Sequence, residues 1–304
     1  MKNHTECINQ SKYKITANIL LISTTILWGT SFIITKTLTQ SLPMFFYIGI
    51  RFLIAIIGLF PYFIRIKKFN KKILLLGSLT GLIYYFGIVF QTWGLQTTTA
   101  GKTAFITGLS TTMVPFISWI GLKKAIKKRI WVAVIISVLG MAILLLEGAS
   151  GIIIGDLLVL ICAILYAFFV VLNDKYVRIV DVYLYSMVQL LVICLLSFGS
   201  SFLIQEAFDF GSVDLSFWLT MIYMGIAVTT LTFLFQNWSQ QYQGPSQTAI
   251  IFTLEPVFAV IFASFILGNE TMTFFGWLGC SLIFIAILII VLKNNTNNKL
   301  NSGK

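Results

Sequence analysis

Two stretches decide how this chain folds: FQTWGLQTTTAGKTAFITGL, Phe90–Leu109, and FQNWSQQYQGPSQTAIIFTL, Phe235–Leu254. Both open on Phe-Gln-x-Trp and continue through amides and small polar residues. Both place Thr-Ala thirteen positions after the Phe, at Thr103-Ala104 and Thr248-Ala249. The offset is 145, close to half of the 304 residues. These polar phrases sit in an apolar chain: 58% of residues are hydrophobic, 10% are charged, and the mean hydropathy is +0.94. A water-soluble domain of this size has no interior large enough to hide so much apolar surface. The solvent is therefore lipid, where backbone polar groups must be satisfied by helices or a closed barrel. Apolar runs of about 20 residues, rather than ten-residue alternating segments, select helices.

Ten such runs stand between charge clusters and turn residues, at 17–36, 44–64, 73–95, 101–121, 130–147, 154–173, 182–204, 215–238, 245–267 and 274–292. The expected class is an all-α integral membrane protein of ten transmembrane helices. An even number of spans puts both termini on one side, and the distribution of Lys and Arg names that side. Eighteen of the 21 basic residues fall on one set of segments: the N-terminal tail (Lys2, Lys12, Lys14), the clusters Arg65–Lys72 and Lys123–Arg129, Lys175 and Arg178, and the C-terminal lysines. The acids Glu147, Asp156, Glu206, Asp209, Asp214 and Glu270 fall on the other set. Both termini are therefore expected in the cytoplasm, and the net charge of +11 is a topology signal rather than a nucleic-acid footprint.

Five spans per half is an odd number, so equivalent helices of the two halves run in opposite directions. Trp28 matches Tyr166, and Arg51-Phe52 matches Gln189-Leu190, at an offset of 138; about seven residues inserted in the second half account for the change to 145. The expected organisation is a cytoplasmic tail (1–16), a first repeat (17–147), a second repeat (154–292) and a cytoplasmic tail (293–304). Inverted repeats of this kind mark transporters, which expose one central site alternately to either side.

The chain resembles the ten-helix, EamA-type members of the drug/metabolite transporter superfamily. The resemblance is carried by ILWGTSFIITK (26–36), Arg51-Phe52, GLQTTTAGKTAFITGL (94–109) with Pro115, and SQTAIIFTLEPVFAVIFASFILGNE (246–270). It covers residues 15 to 293. It implies that helices one to four and six to nine surround a central pathway, with helices five and ten at the periphery. It also implies export, or less often uptake, of small metabolites such as amino acids and their derivatives.

The residues expected along that pathway are Trp28, Arg51, Tyr84, Gln91, Trp93, Gln96, Gln236, Asn237, Trp238, Gln240, Thr248 and Glu255. Amides cost free energy in hydrocarbon unless paired; these either line a wet cavity or glue helices together. Glu255, deep within a span and followed by Pro256, either lines the pathway, binding a cationic group or exchanging a proton, or is a structural Glu near a helix end. Arg51 cannot be neutralised and needs an anion or water: it hooks a substrate carboxylate or phosphate, or pairs with carbonyls or with Glu255. Trp28, beside Gly29 in mid-span, packs at the centre or walls the cavity, where it could stack on cargo. Trp119 and Trp131 belong to the interfacial belt. Lys102, at the start of the fourth helix, is either an entrance residue or a solvated loop lysine.

The sequence contains no nucleophile–base pair, no acidic metal motif and no repeated charged rings, which argues against an enzyme or a channel. Cys7, Cys162, Cys194 and Cys280 lack metal-ligand spacing. No cofactor or metal is expected. The expected partners are a small-molecule substrate and the lipid bilayer, with no nucleic acid, in a monomer or homodimer. Short loops without a soluble domain leave little with which to signal. The alternative cargo is a multidrug or quaternary-ammonium cation. The abundance of Ile, Lys and Asn suits a bacterial inner membrane.

Overall fold

The computed structural model describes residues 4–63, 70–123, 128–146, 153–208, 214–267 and 274–301, and within them only helices and short connectors occur. Helices α1 (His4–Ser41), α2 (Met44–Phe63) and α3 (Lys71–Thr97) are followed by the pair α4 (Ala100–Gly108) and α5 (Ser110–Leu122), then α6 (Lys128–Leu146). The second half begins with α7 (Ile154–Tyr176) and α8 (Val182–Leu203). It continues through α9 (Leu215–Ile222), a π-helical segment (Tyr223–Leu231) and α10 (Thr232–Tyr242) as one rod. The pair α11 (Pro245–Phe252) and α12 (Leu254–Leu267) and then α13 (Phe274–Asn301) complete it. Among the described residues, eight helical stretches are long and apolar enough to cross a membrane. Cys162, Cys194 and Cys280 are buried and, among the described residues, form no disulfide. Lys2, Arg65, Lys67, Lys68, Lys124, Lys127, Glu147, Asp209, Glu270 and Lys304 lie outside the described residues.

Helix starts follow local chemistry. Asn70, Thr99, Asp181 and Asp214 each accept a hydrogen bond from a first-turn N–H, satisfying donors that a helix cannot pair itself. Gly244-Pro245 opens α11 with proline at the first helical position. Three differences from the expected spans matter. The first helix begins at His4, within the stretch read as a tail. The fourth and ninth spans are each broken near the middle, at Leu109 and at Thr253. At both breaks the backbone tightens to an i→i−3 bond, Leu109 N–H to the Ile106 carbonyl and Thr253 N–H to that of Ile250. Pro256, which lacks a donor, accompanies the second break, yet the first occurs without a proline at the corresponding position, Thr111. The eighth span is wound as a π-helix through Tyr223–Leu231.

Packing repeats itself between the halves. Helix α3 runs along α7 as α1 runs along α10; α3 meets α8 as α2 meets the π segment; α12 crosses α1 as α4 and α5 cross α7. Two contacts are their own counterparts, α2 with α8 and α6 with α13. Each packed pair therefore recurs between the counterpart helices. A polar core joins α3, α7, α8 and α10 near one end of the bundle. There Asn173, Gln189, Asn237, Gln240, Ser186 and Thr80 are fully buried. Gln189 donates to Thr80 and Asn173 at 3.0 Å, and Asn237 donates to Ser186 at 2.7 Å and to Gln189 at 2.9 Å.

Candidate substrate cavity

Where the spans diverge at the centre they leave a cavity of about 670 Å³ of atom-free space, its open side included. Helical periodicity sets the walls. On α1 the stripe Trp28, Ser31, Phe32, Thr35 faces it; on α3 the stripe is Tyr84, Ile88, Gln91, Leu95. The spacings, i, i+3, i+4, i+7 on α1 and i, i+4, i+7, i+11 on α3, each occupy one side of a helix. Helix α2 adds Arg51, α7 adds Tyr166 and Phe169, and α10 adds Gln236. The two broken spans contribute the residues flanking their breaks: Thr107, Ser110 and Thr111 from one, Phe252 and Glu255 from the other. No lining residue comes from α6 or α13, which pack on each other, nor from α8.

Repeat-related positions meet across this space. Gln91 and Gln236, Thr107 and Phe252, and Ser110 and Glu255 are each 145 apart in sequence, Trp28 and Tyr166 are 138 apart, and all eight line the cavity.

Two ionisable side chains of opposite type sit in the wall without pairing with each other. Arg51 is 5% exposed and its Nε donates to Thr229 Oγ1 at 2.8 Å. Thr229, in the π segment, in turn donates to the Met224 carbonyl five residues back, at 2.7 Å. The guanidinium carbon lies 5.9 Å from the Phe52 ring. Glu255 is 8% exposed, and among the described residues its carboxylate makes no hydrogen bond or ion pair. Gln236 Nε2 is buried without a partner, a donor that a ligand or water in the cavity would satisfy. Gln91 instead donates to Thr107 at 3.1 Å. Six aromatic side chains, Trp28, Phe32, Tyr84, Tyr166, Phe169 and Phe252, share the wall with these groups. Trp28 packs at 5.0 Å from Phe252, and Tyr84 is stacked on Tyr166 at 4.9 Å and edge-on to Phe169 at 5.0 Å.

Of the twelve residues expected along a pathway, the fold brings Trp28, Arg51, Tyr84, Gln91, Gln236 and Glu255 to this cavity. Asn237 and Gln240 instead belong to the buried amide core, where Asn173 donates to both. Trp93 is 51% exposed on the outer side of α3. Gln96 is exposed and lies 3.4 Å from the Thr39 carbonyl. Trp238 packs against Tyr13 and Tyr242. Thr248 is buried, does not line the cavity, and its hydroxyl has no partner. Arg51 is held by Thr229 rather than by Glu255, and Lys102 is neither solvated nor loop-bound but paired with Asp156 at 2.6 Å. Tyr166, Ser110 and Thr107 were not singled out from the sequence. The repeat offsets identify Tyr166 and Ser110, the counterparts of Trp28 and Glu255, but not Thr107, whose counterpart Phe252 was itself not expected at the site.

Comparison with known proteins accords with this geometry. The model of the EamA-like transporter family matches the chain twice, over residues 15–146 and 153–292. An uncharacterized transporter of Archaeoglobus fulgidus is 29% identical over 280 residues, covering 92% of this chain and 87% of that one. The uncharacterized transporter YetK of Bacillus subtilis is 26% identical over 296 residues, covering 93% and 88%. One solved crystal structure shares the fold with a TM-score of 0.75 at 17% identity, over 91% of this chain and 96% of the other. With two family matches filling both halves around one shared cavity, the chain belongs to the EamA-like transporter family of multi-pass membrane proteins.

Proposed function

We propose that the protein is a carrier that exports small polar metabolites, amino acids or their derivatives, by alternating access across a bacterial inner membrane. In this reading it has ten spans in two inverted five-helix repeats, works without catalysis, and keeps both termini in the cytoplasm. The observation that carries it is the pair of buried ionisable side chains, Arg51 and Glu255, unpaired with each other in a cavity lined by equivalent residues of both halves. Buried charges are costly in a membrane and persist where they serve a pathway. A guanidinium edge suits a carboxylate, and a carboxylate across the cavity suits an ammonium group. The hydroxyls and amides around them serve the remaining polar groups of such a cargo.

Counterflow in proteoliposomes tests the carrier reading: unlabelled substrate loaded inside should accelerate uptake of labelled substrate from outside. Uptake that is indifferent to the trans side overturns it in favour of a channel. A second reading, a quaternary-ammonium or multidrug carrier, draws on Glu255 amid Trp28, Phe252, Tyr84 and Tyr166, which together resemble an aromatic cation site. An amino-acid carrier should depend on both Arg51 and Glu255, a cation carrier on Glu255 alone.

A further inference from the structure

Away from the cavity, the two ends of the bundle carry polar clusters that map onto each other. At one end, Thr98 in the α3–α4 turn donates from Oγ1 to Asp156 Oδ1 at 2.9 Å, and its carbonyl accepts from Lys36 Nζ at 2.5 Å. At the other, Gln243 in the α10–α11 turn donates from Nε2 to Asn18 Oδ1 at 2.6 Å, and its carbonyl accepts from Arg178 Nη2 at 2.7 Å. Arg178 is in turn held by Asp174 at 2.8 Å. Thr98 and Gln243 are counterparts at the offset of 145; Asn18 and Asp156, and Lys36 and Asp174, are counterparts at 138. The same three parts meet each time: the first residues of one apolar span, the last of its counterpart, and the tight turn between two cavity-lining spans.

The two clusters differ in how their ion pairs are placed: Arg178 and Asp174 are four residues apart in one chain segment at the end of α7, whereas the other pair joins two helices, α4 and α7. Lys102 Nζ lies 2.6 Å from Asp156 Oδ2, with side chains only 11% and 6% exposed. Asp156 Oδ2 also accepts from the Ile153 N–H at 2.9 Å. The counterparts of these two residues are the amides Gln247 and Asn18, which cannot form an ion pair. A carboxylate whose two oxygens are both hydrogen-bonded has its loss of hydration met in the closed cluster.

We infer that the two clusters are the latches at the two ends of the transport pathway, and that an ion pair joining α4 to α7, rather than lying within one segment, makes the Lys102–Asp156 latch the tighter one. The inference rests on the alternating-access reading above. It means that the carrier at rest opens preferentially at the Asn18 end, which is the cytoplasmic end in the proposed topology and the side from which an exporter loads.

The test uses the full chain with a Ser110→Cys reporter in the cavity wall and the four native cysteines replaced. A membrane-impermeant maleimide is applied separately to right-side-out and inside-out vesicles. Lys102→Gln with Asp156→Asn, which gives this latch the chemistry of its counterpart, should raise labelling from the Asp156 side about tenfold relative to the other side, the response to roughly 1.4 kcal/mol. The reciprocal pair, Asn18→Asp with Gln247→Lys, should shift labelling the same way by tightening the opposite latch, and Gln243→Ala should shift it the other way. Both pairs leaving the side ratio unchanged, or Gln243→Ala moving it in the same direction as they do, overturns the inference. If the first pair does not yield a monodisperse protein, the reciprocal pair and Gln243→Ala decide. A parent protein whose reporter labels equally fast from both sides at once points instead to failure of the carrier reading itself.

Discussion

At the scale of single residues the economy of the site turns on Glu255 and Arg51. Most side-chain hydroxyls here are spent locally: those of Thr24, Thr25, Ser31, Thr111 and Thr112 each donate to a carbonyl three or four residues earlier in their own helices. Glu255 and Gln236 are not spent in this way, and Arg51 commits only its Nε, leaving the rest of its guanidinium for the cavity. Arg51→Lys keeps the charge but loses the planar fork. For a carboxylated substrate the KM should rise at least about tenfold, while the folded protein survives to be purified. Wild-type KM in that variant would remove Arg51 from recognition. Glu255→Gln keeps the shape and removes the charge and the exchangeable proton. If Glu255 carries protons, transport by this variant should lose its dependence on the pH gradient; an unchanged rate and pH profile would assign it a structural role.

At the scale of elements, helical geometry explains which parts of the site were legible in the sequence. Residues advance about 100° each around a helix, so Gln91 and Trp93 stand on nearly opposite sides of α3, and Gln96 is turned well away from Gln91, toward the side of Trp93. A polar phrase read as one unit is thus divided among cavity, neighbour and lipid. The stripe Tyr84, Ile88, Gln91, Leu95 was present in the spacing but hidden, because Ile88 and Leu95 look like any other apolar residue of a span. The breaks at Leu109 and Thr253 were half legible: Pro256 announces one, and nothing in the side chains near Leu109 announces the other. The π segment left no signal at all, since its sequence, YMGIAVTTL, is ordinary for a membrane helix. Close approach of α3 and α7 gives an element-scale prediction. A Cβ on Gly94 would sit 2.5 Å from Val159 Cγ2 and 2.6 Å from the Gly155 carbonyl oxygen, whereas one on Gly101 meets nothing within 4 Å. Gly94→Ala should cost about 1–3 kcal/mol by forcing the helices apart and lower the melting temperature in detergent, with Gly101→Ala near wild type. Equal melting of the two would mean that the α3–α7 contact is not the tight one.

At the scale of the whole molecule, the repeat that was visible as two polar phrases proves to be a rule about partners. Helix α3 has its most extensive contact with α7 and α2 with α8; α1 packs along α10 and α12. All of these join one half to the other, whereas α1 and α2 barely touch. Neither half encloses anything alone: Trp28, Arg51, Tyr84 and Gln91 come from the first, Tyr166, Gln236 and Glu255 from the second. A separated half would turn charged and amide side chains toward lipid, where an unsatisfied polar group costs several kcal/mol, and the amide core would be cut between Thr80 and Gln189. Residues 1–150 and 151–304 expressed as separate chains should therefore accumulate poorly alone. Expressed together, they should co-purify as a pair that melts as one unit and retains counterflow. Accumulation of either half alone as a stable monodisperse protein would show that each half has an interior of its own, and the shared cavity would then be a surface between two domains rather than the centre of one.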